Sequence, residues 1–463
     1  MFLSLLLALG ACKVSKDVAL PNMQLPTNFR TATQATDTTS IGVLPWKSFF
    51  TEVALRDLID SAITRNNDLQ IAVKNIDEAQ LVLRQSKLGY LPAVNLQITA
   101  SSSRPSNNSL NGLSLNNFLG SKHIEDYNAA LGLSWEADIW GKIRSRKAEA
   151  LAAYLQTEEA RKAVQTQIVV SISEGYYNLL MLDAQLAVAR KNLKLNDSTL
   201  RIIHLQFDAG QVTSLAIQQA EAQQLTAARL IPQFEQDITI QENALSILAG
   251  KLPDNVVRKN RLNDVPASST LSAGLPSSLL SLRPDVRTYE LAVTRANAEV
   301  SISKANLYPA LTITAQGGVN SFRASNWFNI PASLFGAVAG GITQPLFQRK
   351  QLNTRYQLTL VEREKSVIQF RQQVLAAVGE VSDALVRMDK LQQQQILAAQ
   401  RAKTLQQATS NATLLFKNGL ATYLEVITAQ SNVLQSELDL TSIKKAQLDA
   451  KVDLYRSVGG GWR

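Results

Sequence analysis

The sequence predicts a mainly α-helical protein with a small antiparallel β part, in which two tandem copies of one unit each supply a long helical hairpin and two strands. Three observations predict it. Residues 347–462 contain no proline and are broken at one place, Lys417, Asn418, Gly419. Before that break apolar residues recur at helical spacing through Leu352, Tyr356, Leu360, Val367, Phe370, Val374, Ala377, Val381, Leu385 and Met388, ending at Leu414, Leu415 and Phe416. The plan also occurs earlier in the chain: Trp140 to Gly210 is 70 positions against 72 from Phe347 to Gly419, and Gly210 to Gly250 is 40, as is Gly419 to Gly459. Between the rods, finally, the apolar period switches from 3.6 to 2.

Each rod of about 70 residues would be on the order of 105 Å long at ~1.5 Å per residue, several times an ordinary helix of ~11–12 residues. A monomeric globule offers nothing of that length to cover it. Phe207, Asp208, Ala209, Gly210 correspond to Phe416, Lys417, Asn418, Gly419. A glycine can take the left-handed conformation that ends a helix, and Thr422 followed by Glu425 reads as a capping box that starts the next. The chain therefore makes two sharp helical hairpins. A repeat of about 209 residues is far longer than a solenoid unit.

The chain begins with an apolar segment, Phe2 to Ala11, directly before Cys12, the only cysteine, so a disulfide within the chain is excluded. Leu9, Gly10, Ala11, Cys12 resembles a bacterial lipobox, which implies removal of residues 1–11 as a signal peptide and lipid attachment at Cys12. No Lys or Arg precedes the segment, a departure from a full signal peptide. Residues 12–45 then read as an extended tether, residues 46–250 as the first repeat, 251–283 as an inter-repeat linker and 284–463 as the second repeat. No run of 18 apolar residues marks a spanning helix. The net charge of +9 does not indicate a nucleic-acid partner, because Lys and Arg are scattered along helical faces with no basic arm or aromatic-interleaved patch.

After a helix to about Leu88, Gly89, Tyr90, Leu91, Pro92 stop the pattern. Val94, Leu96, Ile98, Ala100 alternate with Asn95, Gln97, Thr99, Ser101, and Ala129, Leu131, Leu133, Trp135 with Ala130, Gly132, Ser134, Glu136. These predict a hairpin at about 93–138 enclosing a Ser-, Asn- and Gly-rich loop from 102 to 127. The second copy repeats it at about 310–344, where Leu311, Ile313, Ala315 alternate with Thr312, Thr314, Gln316. Four strands are too few to close, since the smallest single-chain membrane barrels have about eight. Apolar residues facing lipid and amides and hydroxyls facing a lumen fit a barrel shared between subunits, of eight strands in a dimer or twelve in a trimer.

Pro45, Trp46, Phe49, Leu55, Leu58, Ile59, Ala62, Asn66, Asn67, Asp68, Leu69, Ala72 resemble the N-terminal pattern of TolC-like outer-membrane efflux proteins, in the lipoprotein branch of the NodT/OprM type. The segment Leu275, Pro276, Leu279, Leu280, Leu282, Arg283, Pro284, Asp285, Val286, Arg287, followed by Glu290, Ala296, Asn297, Ala298, Ala305, Tyr308, Pro309, resembles that branch's most diagnostic stretch. Pro284 and Asp285 also suit the first turn of a helix. The resemblance spans residues 46–463. It implies a homotrimer with a trimeric α-barrel and a twelve-stranded transmembrane β-barrel in the outer membrane, a long periplasmic extension, and as partners a periplasmic adaptor (membrane fusion) protein, an inner-membrane RND-type pump and outer-membrane lipid. It further implies adaptor docking around Gly210, Val212, Ser214 and Gly419, Ala421, Thr422, and a gate acid at Glu425. The second acid of the family pattern is replaced by Thr428, so one carboxylate ring per trimer remains.

The chain's chemistry points away from catalysis. Only His123 and His204 exist, Gly250, Lys251 lacks the rest of a phosphate loop, and no cluster has metal-ligand spacing. No enzyme, cofactor or metal is expected. The reading is a passive exit duct of a tripartite efflux system, with a type I protein-secretion duct and a non-conducting coiled-coil scaffold as the alternatives.

Overall fold

The computed structural model describes residues 14–21, 23–30, 40–118, 120–266 and 272–463. Cys12 and the expected signal segment lie outside the described residues. In chain order the elements are α1 (Trp46–Phe49), α2 (Val53–Arg65), α3 (Asn67–Lys87), β1 (Ala93–Ser103), α4 (Leu110–Phe118), β2 (Ile124–Glu136), α5 (Lys142–Asp208), α6 (Ser214–Leu248), α7 (Leu279–Leu282), α8 (Pro284–Ala305), β3 (Ala310–Ser321), β4 (Leu334–Thr343), α9 (Gln351–Lys417) and α10 (Tyr423–Ser457). The repeat is metrically close: α5 and α9 are each 67 residues, and α6 and α10 each 35.

The tips repeat down to single bonds. Gly210 and Gly419 both have φ of 73°, with open space where a Cβ would lie, so it is backbone conformation and not crowding that calls for glycine. Gly210 N–H donates to Phe207 O at 2.8 Å and Gln211 N–H to Gln206 O at 2.8 Å; Gly419 N–H donates to Phe416 O at 3.0 Å and Leu420 N–H to Leu415 O at 2.9 Å. Each pair is a Schellman motif that satisfies carbonyls the helix end leaves open.

One feature departs from the expected elements. The loop between the first two strands is not wholly irregular but contains α4, and β2 begins earlier, at Ile124. Its polar composition hid a short helix whose Leu110 and Leu113 stay exposed. The expected returning rod α6 runs through Pro232, which removes one ladder donor; the bonds on either side carry the helix on, and the second copy has Thr441 at the matching place.

The chain divides into two compact units that cut across the repeats, each drawing on both. One comprises Asp77–Leu155, Leu291–Ile368 and the described residues up to Pro21; it holds the strands. They form one antiparallel meander in the order β1-β2-β3-β4. Trp140 anchors its base, with the indole N–H on Pro309 O at 2.7 Å and the ring stacked on Tyr308 at 4.8 Å.

The other unit comprises Asn22–Ile76, Gln156–Glu290 and Gln369–Arg463 and holds the hairpin tips. Its apolar centre includes Tyr176, Leu179, Leu180, Leu245, Leu454 and Tyr455, all buried. Phe49 of α1 stacks on Tyr455 at 4.0 Å, and the Tyr455 hydroxyl donates to Leu44 O at 2.6 Å. The linker is held here as well: Arg258 ion-pairs with Asp183 of α5 and Glu242 of α6.

Candidate functional site

The register of the meander settles which residues share a face. Val94 pairs with Leu133, Leu96 with Leu131, Ala315 with Val338 and Leu311 with Ile342, so every apolar alternation falls on one side. In the single chain that side is bare: Leu96 is 66% exposed and Val338 79%. An apolar face so open needs lipid or another chain to cover it. The opposite face carries Asn95, Gln97, Ser134, Thr314 and Gln316 among alanines and glycines, around a groove of about 450 Å³. Among the described residues, β1 and β4 each have one edge without a partner strand.

At the tips a small core of Ile203, Ala216, Ala220, Phe416 and Val426 ties the two hairpins together. Val212 and Ala421 pack against this core, half-buried, whereas Gly210, Ser214, Gly419 and Thr422 are exposed. Of the expected docking residues, then, these two are engaged in holding the tips. Around them stand exposed Leu205, Leu215, Leu414, Leu420 and Leu424, which composition alone did not single out. Glu425 forms the expected capping box, with Thr422 N–H donating to its Oε2 at 2.6 Å. Above the tip core a buried polar ladder joins the hairpins. Gln430 Nε2 donates to Thr199 Oγ1 at 2.8 Å, and Asn192 Nδ2 to Gln430 O at 3.1 Å.

The segment Arg283, Pro284, Asp285 builds a structural node. Arg283 is 4% exposed, donating to Asp285 through Nε at 3.0 Å and Nη2 at 2.6 Å, and to the last-turn carbonyl of Ser457 through Nη1 at 3.0 Å. It also pairs with Glu380 of α9 at 2.9 Å. Burial alone would push the Asp285 carboxyl up; Arg283, the Val286 N–H and the Gln373 amide outweigh it and hold it below the usual range. Burial likewise works against the Arg283 cation, and Asp285 and Glu380 more than restore it. The first repeat builds the same joint without charge: Asn66 Nδ2 donates to Leu248 O at 2.9 Å, and Leu248 and Ser457 are both the final residues of their helices. No periodicity could have matched Asn66 to Arg283; the shared carbonyl does.

Among the described residues no group of His, Cys, Asp and Glu could hold a metal ion, and no helix is long and apolar enough to cross a membrane.

Comparison with known proteins bears on these features together. The pattern of the family described as Outer membrane efflux protein matches residues 58–251 and 275–460. The cation efflux system protein CusC of Escherichia coli is 27% identical over 467 residues, 99% of this chain and 97% of its own. The solvent efflux pump outer membrane protein SrpC of Pseudomonas putida is 28% identical, covering 99% of this chain and 97% of its own. Among solved structures, one of CusC, described with transmembrane channel formation, aligns with a TM-score of 0.84 at 25% identity over 97% of this chain and 100% of that one. The open state of the Neisseria gonorrhoeae MtrE outer membrane channel, at 22% identity, has a TM-score of 0.85 over 98% and 99% of the two chains. Because the matched segments take in both repeats and the fold is that of these channels, the chain belongs to the Outer membrane efflux protein family and is a TolC-like outer-membrane component of an efflux pump.

Proposed function

We propose that three copies of the chain close their four-stranded sheets into a twelve-stranded barrel and act as the passive exit duct of a tripartite efflux system. The observation that carries this reading is the sheet itself, with two open edges, an apolar face bare to solvent and an opposite face of amides and hydroxyls. Closure between copies would pair the edges, turn the apolar face to lipid and leave a polar lumen. Lipid attachment at Cys12 and docking of a periplasmic adaptor protein at the exposed tip leucines complete the proposal, with an inner-membrane RND-type pump as the energy source. The relatives named for cations and for solvents stand at nearly equal identity, so gene deletion followed by sensitivity profiling to metals, dyes and solvents is the route to the cargo.

Native mass spectrometry of the detergent-solubilised protein tests the assembly. A trimer is expected. A stable monomer that keeps its strand signal would refute the shared barrel and leave the scaffold reading.

A further inference from the structure

Asn297 lies in the interior of α8, where a short amide is unfavourable unless it finds a partner outside the helix. It is only 9% exposed, between buried Ala296 and Ala298. Its partner is the main chain of Val18, 279 positions earlier. Val18 N–H donates to Asn297 Oδ1 at 3.0 Å, and Asn297 Nδ2 donates to Val18 O at 3.1 Å. Two residues upstream, Arg363 Nη1 of α9 donates to Lys16 O at 3.3 Å, and Ser15 is buried. All of these residues belong to the unit that holds the strands.

A side-chain amide presents an N–H donor and a C=O acceptor side by side, matched here to one C=O and one N–H, which is how opposed residues of antiparallel strands exchange bonds. The contact therefore reads backbone. The Val18 side chain remains exposed and adds no polar recognition.

We propose that Asn297, supported by Arg363, is a docking notch for the N-terminal tether, and that it fixes how far a lipid on Cys12 can reach. The reach rests on the lipidation proposed above; the notch does not. Four residues from Lys16 to Cys12 span at most about 14 Å at ~3.3–3.6 Å each. Asn297 precedes the end of α8 by eight residues, about 12 Å at ~1.5 Å per residue, and β3 begins five residues after that end. Measured from Val18 on Asn297, the six residues to Cys12 span at most about 22 Å, enough to pass the end of α8 toward the foot of the strands, where the acyl chains would enter the leaflet. An undocked tether over residues 12–45 would instead wander over roughly 30 Å, from ~5–6 Å times the square root of its length. Docking turns a loose leash into a stay of fixed length.

The test uses full-length protein in outer membranes, in four forms: wild type, Val18→Ala, Val18→Pro and Asn297→Ala. Trypsin cleavage after Lys16 reads docking, and intact mass on the same samples reads acylation. Val18→Ala keeps the backbone donor and should be cleaved as slowly as wild type. Val18→Pro removes that donor from the tether without touching α8 and should be cleaved roughly tenfold faster, as should Asn297→Ala, because the cost of local opening falls with the lost bonds. Equal rates in all four forms would overturn the notch, as would a Val18→Ala rate matching Val18→Pro. Slow wild-type cleavage without acyl mass on Cys12 would overturn the lipid reach and leave the notch standing.

Discussion

Arg283 shows how a single residue carries structure in this chain. One guanidinium serves Asp285 at the start of α8, Glu380 in α9 and the final carbonyl of α10. Removing it takes the shared cation from two half-exposed carboxylates, Asp285 and Glu380, and the donor from the Ser457 carbonyl, a loss below the ~3–5 kcal/mol of breaking a fully buried pair. Arg283→Ala should therefore lower the thermal midpoint and the yield of assembled protein, measurable by calorimetry and native gels. Arg283→Lys should recover little, since a point charge cannot reproduce the bidentate fork. An unchanged midpoint in Arg283→Ala would remove the node from the account. The pH dependence follows from Asp285. Its carboxyl is held below the ordinary value of about 3.9, so its contribution is complete above that value and is lost as pH falls through the lower, folded-state value. Acid unfolding of wild type should show this loss, and Asp285→Asn should be less stable at neutral pH with a flatter acid limb.

At the scale of elements, the hairpin ends were legible in the sequence because their signals are local. Gly210 and Gly419 form the turns that their spacing indicates, and Thr422 and Glu425 form the box that their spacing of three indicates. The strands were legible by alternation, and their register bears out the two faces. What stayed hidden joins residues far apart in sequence: Asn66 to Leu248, Gln430 to Thr199, Asn297 to Val18. A buried asparagine or glutamine in a helix looks like a surface residue until its partner is known. The start of α10 is where a local reading leaves two roles open. As a cap, Glu425 serves one backbone donor; as a proposed gate, its carboxylate would meet two symmetry mates at the narrow end of the duct. Glu425→Gln keeps an acceptor for the cap and removes the charge. A gate role predicts altered conductance or cation block in planar bilayers with an unchanged thermal midpoint. Channels matching wild type in both would confine Glu425 to capping.

At the scale of the whole molecule, the question is which medium each face of the sheet meets. Along β1, Ile98 belongs to the exposed apolar face and its neighbour Gln97 to the face with the polar groove. The two differ by one position in sequence and by the whole thickness of the wall in the proposed barrel, because strand side chains alternate. A charge on the lipid side near the middle of a membrane strand costs about 2–4 kcal/mol, whereas a charge on the lumen side is solvated. Ile98→Arg should therefore cut the amount of assembled trimer in the outer membrane, and the deficit should persist when efflux substrates are absent. Gln97→Arg should assemble to wild-type levels and shift single-channel conductance and ion preference, since three guanidinium groups would then line one level of the lumen. A soluble sheet buried against another protein predicts a different pattern: both substitutions would leave membrane insertion untouched, and neither would alter a current. Reversal of the two phenotypes would mean that the sheet closes with its polar face outward, which the bilayer does not permit for a row of unpaired amides. Measured side by side, membrane yield and bilayer conductance thus separate a lipid-facing wall from a buried one with a pair of substitutions one residue apart.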